Sequence, residues 1–188
     1  MSKQSMPKHI FVTGGARSGK SRFAESQALT LGGRVIYLAT AQAGDAEMAE
    51  RIKKHRQRRP ADWETVEAPL EVAKVLRQYQ EGCTVLFDCL TMYLSNLYFS
   101  YETTASTQEL PALIERTIAD LAEIISSSSA NLIIVTNEVG WSIVPDNPMA
   151  RTFRDLAGIA NQRIAAVCDQ VYLVVSGIPV KIKGATDV

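Results

Sequence analysis

One octapeptide constrains this chain more than any other feature: Gly14-Gly15-Ala16-Arg17-Ser18-Gly19-Lys20-Ser21. A β-rich run, His9-Ile10-Phe11-Val12-Thr13, leads into it, and a segment of helical period follows from Lys20 to Leu31, stopped by Gly32-Gly33. The spacing Gly-x-x-x-x-Gly-Lys-Ser between a strand and a helix is that of a phosphate-binding loop. Its glycines let the backbone curl until successive N–H groups face phosphate oxygens, and the helix adds the positive end of its dipole. Lys20 is the cation for the terminal phosphates, and Ser21 is a ligand for Mg²⁺. A chance glycine turn would lack the flanking strand and helix. The ligand class is a nucleoside triphosphate.

The rest of the chain repeats the alternation of short apolar runs and helical segments. Arg34 to Thr40, Thr84 to Asp88 and Asn131 to Thr136 read as buried strands, with a shorter one at Trp63 to Glu67. Helices are expected from Asp45, an N-cap, to about Gln57, with Met48, Ile52 and His55 on one face; from Pro69 to Tyr79, with Leu70, Val72, Val75 and Leu76 inward; and from about Thr91. Ser106 and Glu109 form a capping-box pair before a helix that buries Leu110, Leu113, Ile114, Ile118, Leu121 and Ile125 and ends at Ser126 to Ser129. Asn147-Pro148 opens another, with Met149, Phe153, Leu156, Ala160, Ile164 and Val167 inward. Val171 to Val175 and Val180 to Lys183 close the chain as a hairpin. Strands without two-sided patterning, joined by helices, define an α/β fold. The expectation is one domain over residues 1–188: a P-loop NTPase (RecA-like), doubly wound, mostly parallel sheet with helices on both faces, a C-terminal hairpin, and loose termini at 1–8 and 184–188.

Composition narrows the setting. Twenty Lys and Arg balance twenty Asp and Glu, which argues against a nucleic-acid or anionic-membrane binder over the whole surface. Cys83, Cys89 and Cys168 have no C-x-x-C spacing, so reduced thiols in a cytoplasmic protein are expected rather than a disulfide framework or zinc site. No apolar run reaches the length of a membrane span, and the first eight residues lack the apolar stretch of a signal peptide.

Two further features bear on chemistry. A metal-holding acid belongs at the carboxyl end of another strand, where Asp88 stands; Glu138 is eligible too, and Asp88 has the plainer reading of a helix N-cap. His55 is crowded by Arg51, Lys53, Lys54, Arg56, Arg58 and Arg59. That run reads either as a solvated helix face with Glu47–Arg51 and Glu50–Lys54 pairs, or as a nucleophile's setting. Neighbouring cations disfavour the protonated imidazole, leave a ring nitrogen for phosphorus, and neutralise phosphate oxygens in the transition state.

The ordered set Thr13 to Arg22, Tyr37-Leu-Ala-Thr40, Glu47 to Ile52, His55 to Pro60, Thr136-Asn-Glu-Val-Gly140, Val144-Pro145, Phe153 to Gly158, Asn161-Gln-Arg163 and Val174 to Gly177 resembles the bifunctional adenosylcobinamide kinase/adenosylcobinamide-phosphate guanylyltransferases of cobalamin assembly. The resemblance implies phosphorylation of adenosylcobinamide by ATP or GTP, then transfer of GMP from GTP to that phosphate through a guanylyl-histidine, which maps onto His55. It implies GTP phosphates on Gly14 to Ser21, and the rest of the nucleotide on Thr40, Ala41, Gln42, Arg56, Gln57, Arg58, Arg59, Glu67 and Asp88. It also implies Mg²⁺ on Ser21 and Asp88, and a trimer. A P-loop kinase for another small metabolite is the alternative; it would leave His55 without a role.

Overall fold

The computed structural model describes residues 6–184, without the side chains of Met48, Arg51 and Arg58. The expected inward place of Met48 and the nucleotide contact of Arg58 therefore lie outside the described residues.

In chain order the elements are β1 (His9–Thr13), α1 (Lys20–Leu31), β2 (Arg34–Ala39), α2 (Ala46–Arg58), β3 (Glu64–Glu67), α3 (Val72–Leu76), β4 (Cys83–Asp88), α4 (Leu90–Glu102), α5 (Leu110–Ser127), β5 (Asn131–Val135), α6 (Pro148–Val167), β6 (Gln170–Val175) and β7 (Ile178–Lys183). The strands form one seven-stranded sheet in the order β3-β2-β4-β5-β1-β6-β7. Every neighbouring pair is parallel except β6 with β7. The mostly parallel α/β sheet with a terminal hairpin is the architecture expected from the sequence.

Both faces of the sheet are covered, because side chains of successive strand residues point to opposite faces. Ile10, Val12, Tyr37, Leu86, Ile133 and Val135 pack with Ala24 and Ala28 of α1. Phe11, Ile36, Leu38, Phe87, Leu132 and Ile134 pack with α3 to α6. A strand buried on both sides must be apolar at every position, which is why these runs show no alternation.

Several local signals act as their chemistry requires. Asn147 Oδ1 accepts from the Met149 N–H at 2.8 Å, an N-cap ahead of Pro148. Glu109 accepts from the Ser106 N–H, but the Ser106 hydroxyl donates to the same carboxylate oxygen instead of capping the Glu109 N–H. Only half of the expected capping box therefore forms, and the regular helix starts at Leu110. Ser176 and Gly177, with φ of 52° and 81°, make the tight turn between β6 and β7, both central residues left-handed. Lys8 already belongs to the sheet: its N–H donates to Asn131 Oδ1 and its carbonyl accepts from Leu132.

Other expectations need correction. The helix placed over Pro69 to Tyr79 is only five residues long, and Leu70 precedes it and is exposed. Leu113 and Met149 are also exposed, and Phe153 and Val167 are only half-buried. Each stands at the border of its helix's apolar stripe, where a 3.6-residue period leaves the choice of face to packing partners.

Candidate active site

Strand register, rather than sequence proximity, assembles the site. Across the sheet, Glu67 pairs with Ala39, Ala39 with Asp88, Asp88 with Val135, and Val135 with Val12. The carboxyl ends of β3, β2, β4, β5 and β1 therefore finish in one row, the edge where parallel α/β sheets bind ligands. Within that row the strands are roughly 4.8 Å apart, so Asp88 lies two spacings from β1 and Glu67 four, or roughly 19 Å. Glu67 and the phosphate loop thus share an edge without adjoining.

The loop itself is shaped by its backbone. Gly14 and Gly19 have φ of 157° and 98°, and Arg17 is left-handed at 56°. A Cβ on Gly14 would meet the Val174 carbonyl oxygen at 2.5 Å, so no other residue fits between the loop and β6. Lys20 is buried at the first turn of α1, and its Nζ donates to the Gly15 carbonyl at 3.1 Å. The Ser18 Oγ is buried with no partner inside the protein, as a donor meant for a phosphate oxygen would be. A brace that the motif does not encode comes from the β6–β7 turn, where the Gly177 N–H donates to the Ser18 carbonyl at 2.8 Å. Ala16, Arg17 and Gly19 remain exposed at the loop's rim, and Gly15 and Ser21 are half-exposed.

Asp88 is held in place by aromatic and cationic neighbours. The Tyr37 hydroxyl donates to its Oδ2 at 2.7 Å, and the Arg59 guanidinium stacks 3.1 Å from the Tyr37 ring centroid. Burial, and then the Asp88 charge, push the Tyr37 phenol far above its usual range, so it remains a donor. Burial likewise raises the Cys89 thiol to about 12, with Asp88 adding to it, which makes this thiol a poor nucleophile. The polar groups of Thr40 are engaged within the protein. Its hydroxyl donates to the Cys89 carbonyl and accepts from the Cys89 N–H, its own N–H donates to the Asp88 carbonyl, and its carbonyl accepts from Asn96. It is fully buried and fixes the ends of β2 and β4, whereas Ala41 and Gln42 emerge towards solvent.

A polar network between β1 and β5 joins Thr13, Thr136, Glu138 and Asn161, residues that the sequence motifs contain but do not connect. Thr13 Oγ1 donates to Glu138 Oε1 at 2.5 Å, and Asn161 Nδ2 donates to the same oxygen at 3.3 Å. Thr136 donates to Asn161 Oδ1 at 2.8 Å, so the Thr91 hydroxyl, 3.1 Å away, donates to Thr136 and accepts from the Asn137 N–H. The Glu138 N–H closes the network on the Gly14 carbonyl. Thr91 alone stands outside those motifs, and its only signal is a polar side chain in an otherwise apolar run.

His55 lies in α2, about one helical turn before Arg59, whose guanidinium stacks on Tyr37. Ile52 and His55 are half-buried, while Lys53, Lys54, Arg56 and Gln57 are exposed. Among the described residues α2 has no fully buried side chain and packs broadly against no other element.

A braced phosphate loop at the edge of a parallel sheet, with an oriented carboxylate two strands away, defines a nucleotide-binding α/β protein of the P-loop class. Solved structures agree on that fold. A type III secretion ATPase superposes with a TM-score of 0.58 at 9% identity, over 97% of this chain and 60% of that one. An ATP synthase subunit, NeqB of Nanoarchaeum equitans, gives 0.58 at 13% identity, over 97% of this chain and 53% of that one. Residues 10–182 match the model of the cobinamide kinase/cobinamide phosphate guanyltransferase family. The bifunctional adenosylcobalamin biosynthesis protein CobU of Salmonella typhimurium is 44% identical over 93% of this chain and 99% of its own. CobP of Pseudomonas aeruginosa, of the same description, is 43% identical over 92% and 96%. The chain belongs to this family of cobalamin-assembly enzymes.

Proposed function

We propose that one phosphate loop serves two successive transfers: phosphorylation of the hydroxyl of adenosylcobinamide by ATP or GTP, then guanylyl transfer from GTP to the resulting phosphate, with His55 as the covalent carrier. The family match supports both reactions, and the braced loop Gly14 to Ser21 is the observation that carries them. In the second reaction a ring nitrogen of neutral His55 attacks the α-phosphorus of GTP, an N–P bond forms, and the bond to the bridging oxygen breaks as pyrophosphate leaves. An oxygen of cobinamide phosphate then displaces the imidazole and gives adenosylcobinamide-GDP. Lys20 and the loop N–H groups stabilise charge on the leaving pyrophosphate. Arg56, Gln57, Arg58 and Arg59 neutralise the phosphates that α2 meets, while Ala41, Gln42, Glu67 and Asp88 line the rest of the nucleotide.

For His55 to reach a phosphate on the loop, α2 must approach that loop. Among its described residues no side chain is fully buried, which supports such movement. The donor set fits a nucleotide-bound Mg²⁺, which needs one or two protein oxygens: the Ser21 hydroxyl and the Asp88 carboxylate, already aimed by Tyr37, would hold it, and it would neutralise charge on the phosphates. Among the described residues there is no cluster of three or more acidic, histidine or cysteine side chains able to hold a metal without the nucleotide. No helix among the described residues is long and apolar enough to cross a membrane. A cytoplasmic homotrimer completes the reading, checked by sedimentation equilibrium.

GTP labelled on the α-phosphate tests the carrier. Label on the unaltered protein that is stable to base and lost in acid, and absent from His55→Ala, is the expected result. Label that persists in His55→Ala removes His55 from the mechanism.

A further inference from the structure

The kinase step needs something that the guanylyl transfer does not. A phosphate oxygen is already a nucleophile, but an alcohol must lose its proton as it attacks. Lys20 and Ser21 are poor bases at the loop, and Asp88 is bonded to Tyr37 two strands away.

Glu138 differs from every other carboxylate in the row. It follows β5, the strand beside β1, and its backbone is tied to the first glycine of the phosphate loop. Thr13 and Asn161 both donate to the same oxygen, Oε1. Neither of these bonds uses Oε2, and the side chain is half-exposed. A carboxylate fixed through one oxygen, on a backbone tied to a phosphate loop, has the form of an oriented proton acceptor. The next residue, Val139, lines a largely apolar cleft of about 300 Å³ together with Tyr98, Phe99, Met149 and Phe153, so an open space adjoins the chain directly after Glu138.

We propose that Glu138 is the general base of the phosphoryl-transfer step, an inference that rests on the two-reaction reading above. The acceptor hydroxyl gives its proton to Glu138 Oε2 while its oxygen forms a bond to the γ-phosphorus. The bond from that phosphorus to the β,γ-bridging oxygen breaks, and the nucleoside diphosphate leaves with the electron pair. Thr13 and Asn161 are positioning residues that keep Oε2 turned outward. Guanylyl transfer, with no alcohol to deprotonate, does not use Glu138.

The division gives a test with an internal control. Glu138→Gln keeps an Oε1 acceptor for Thr13 and Asn161 and adds no volume. With adenosylcobinamide and ATP or GTP, its kcat for phosphorylation is expected to fall by about 10²- to 10⁴-fold, the usual contribution of a general base, with the KM for nucleotide little changed. Supplied with adenosylcobinamide phosphate and GTP, the same variant is expected to form adenosylcobinamide-GDP within about threefold of the unaltered protein, which also reports that it folds and binds nucleotide. If the amide variant does not fold, Glu138→Asp withdraws the carboxylate by one methylene and should cost phosphorylation at least about tenfold with guanylyl transfer retained. Undiminished phosphorylation, or an equal loss of both reactions, overturns the proposal; the second outcome would make Glu138 a support of the loop only. If the unaltered protein performs neither reaction, the two-reaction reading fails, and this inference with it.

Discussion

Tyr37 donates its phenolic proton to Asp88 Oδ2 across the adjacent ends of β2 and β4, 51 residues apart in sequence. The contact converts a carboxylate at the end of a strand into one with a fixed orientation, and Arg59 stacked on the ring keeps the phenol from turning away. Tyr37→Phe keeps the ring and removes the bond. It should lower the unfolding free energy by about 1 kcal/mol, because Asp88 can regain water, and urea unfolding with an unchanged slope would show it.

Burial of the Tyr37 phenol, with the Asp88 charge beside it, sets a pH dependence. The folded pKa of Tyr37 lies above the unfolded value, so the protein keeps a proton that the unfolded chain gives up. Stability from this source is fully present below about pH 10 and is lost as pH rises beyond it. Plotted above pH 10, the decline in stability should be shallower for Tyr37→Phe than for the unaltered protein. Equal slopes would show that the phenol is not held protonated.

Gly14→Ala places a Cβ 2.5 Å from the Val174 carbonyl oxygen and 2.7 Å from Ser18 Oγ, so the loop or β6 must move. The expected result is loss of nucleotide binding by at least about tenfold, since loop N–H groups misplaced by an ångström no longer converge on phosphate. Titration calorimetry with GTP measures it. Gly15→Ala, whose added carbon meets nothing within 4 Å, is the matched control for steric effect.

Asn161 is buried and links three groups: it accepts from Thr136 and donates to Glu138 and the Asn137 carbonyl. Asn161→Ala leaves Thr136 without its acceptor and should cost about 1–3 kcal/mol. Asn161→Asp keeps the acceptor but sets a second carboxylate against Glu138, and should be worse near neutral pH. Thermal unfolding of the two variants side by side decides the order.

The three cysteines should divide by burial. Cys89 and Cys168 are buried with thiols pushed up to about 12, while Cys83 is half-exposed. At pH 8 a disulfide-exchange reagent should titrate one thiol in the native protein and three after unfolding. Rapid modification of two or more thiols in the native state would contradict the packing around α4 and α6.

The sequence by itself determined the elements and the ligand. Gly14 to Ser21, between a strand and a helix, has the spacing of a phosphate loop, and unbroken apolar runs such as Val85 to Phe87, flanked by helical segments, are those of a strand buried on both faces. Its reading of α3 was too long and misplaced Leu70, because five residues carry too little periodicity to fix a boundary. What only the tertiary structure decided is which distant residues meet. Register across β1, β5 and β4 aligned the phosphate loop with Asp88, folded Thr40 inward, and brought Glu138 onto Thr13 across 125 residues of chain. Backbone shape is a local property that short-range sterics write into the sequence. Convergence of side chains depends on strand order and the lengths of crossovers, which no window of residues contains.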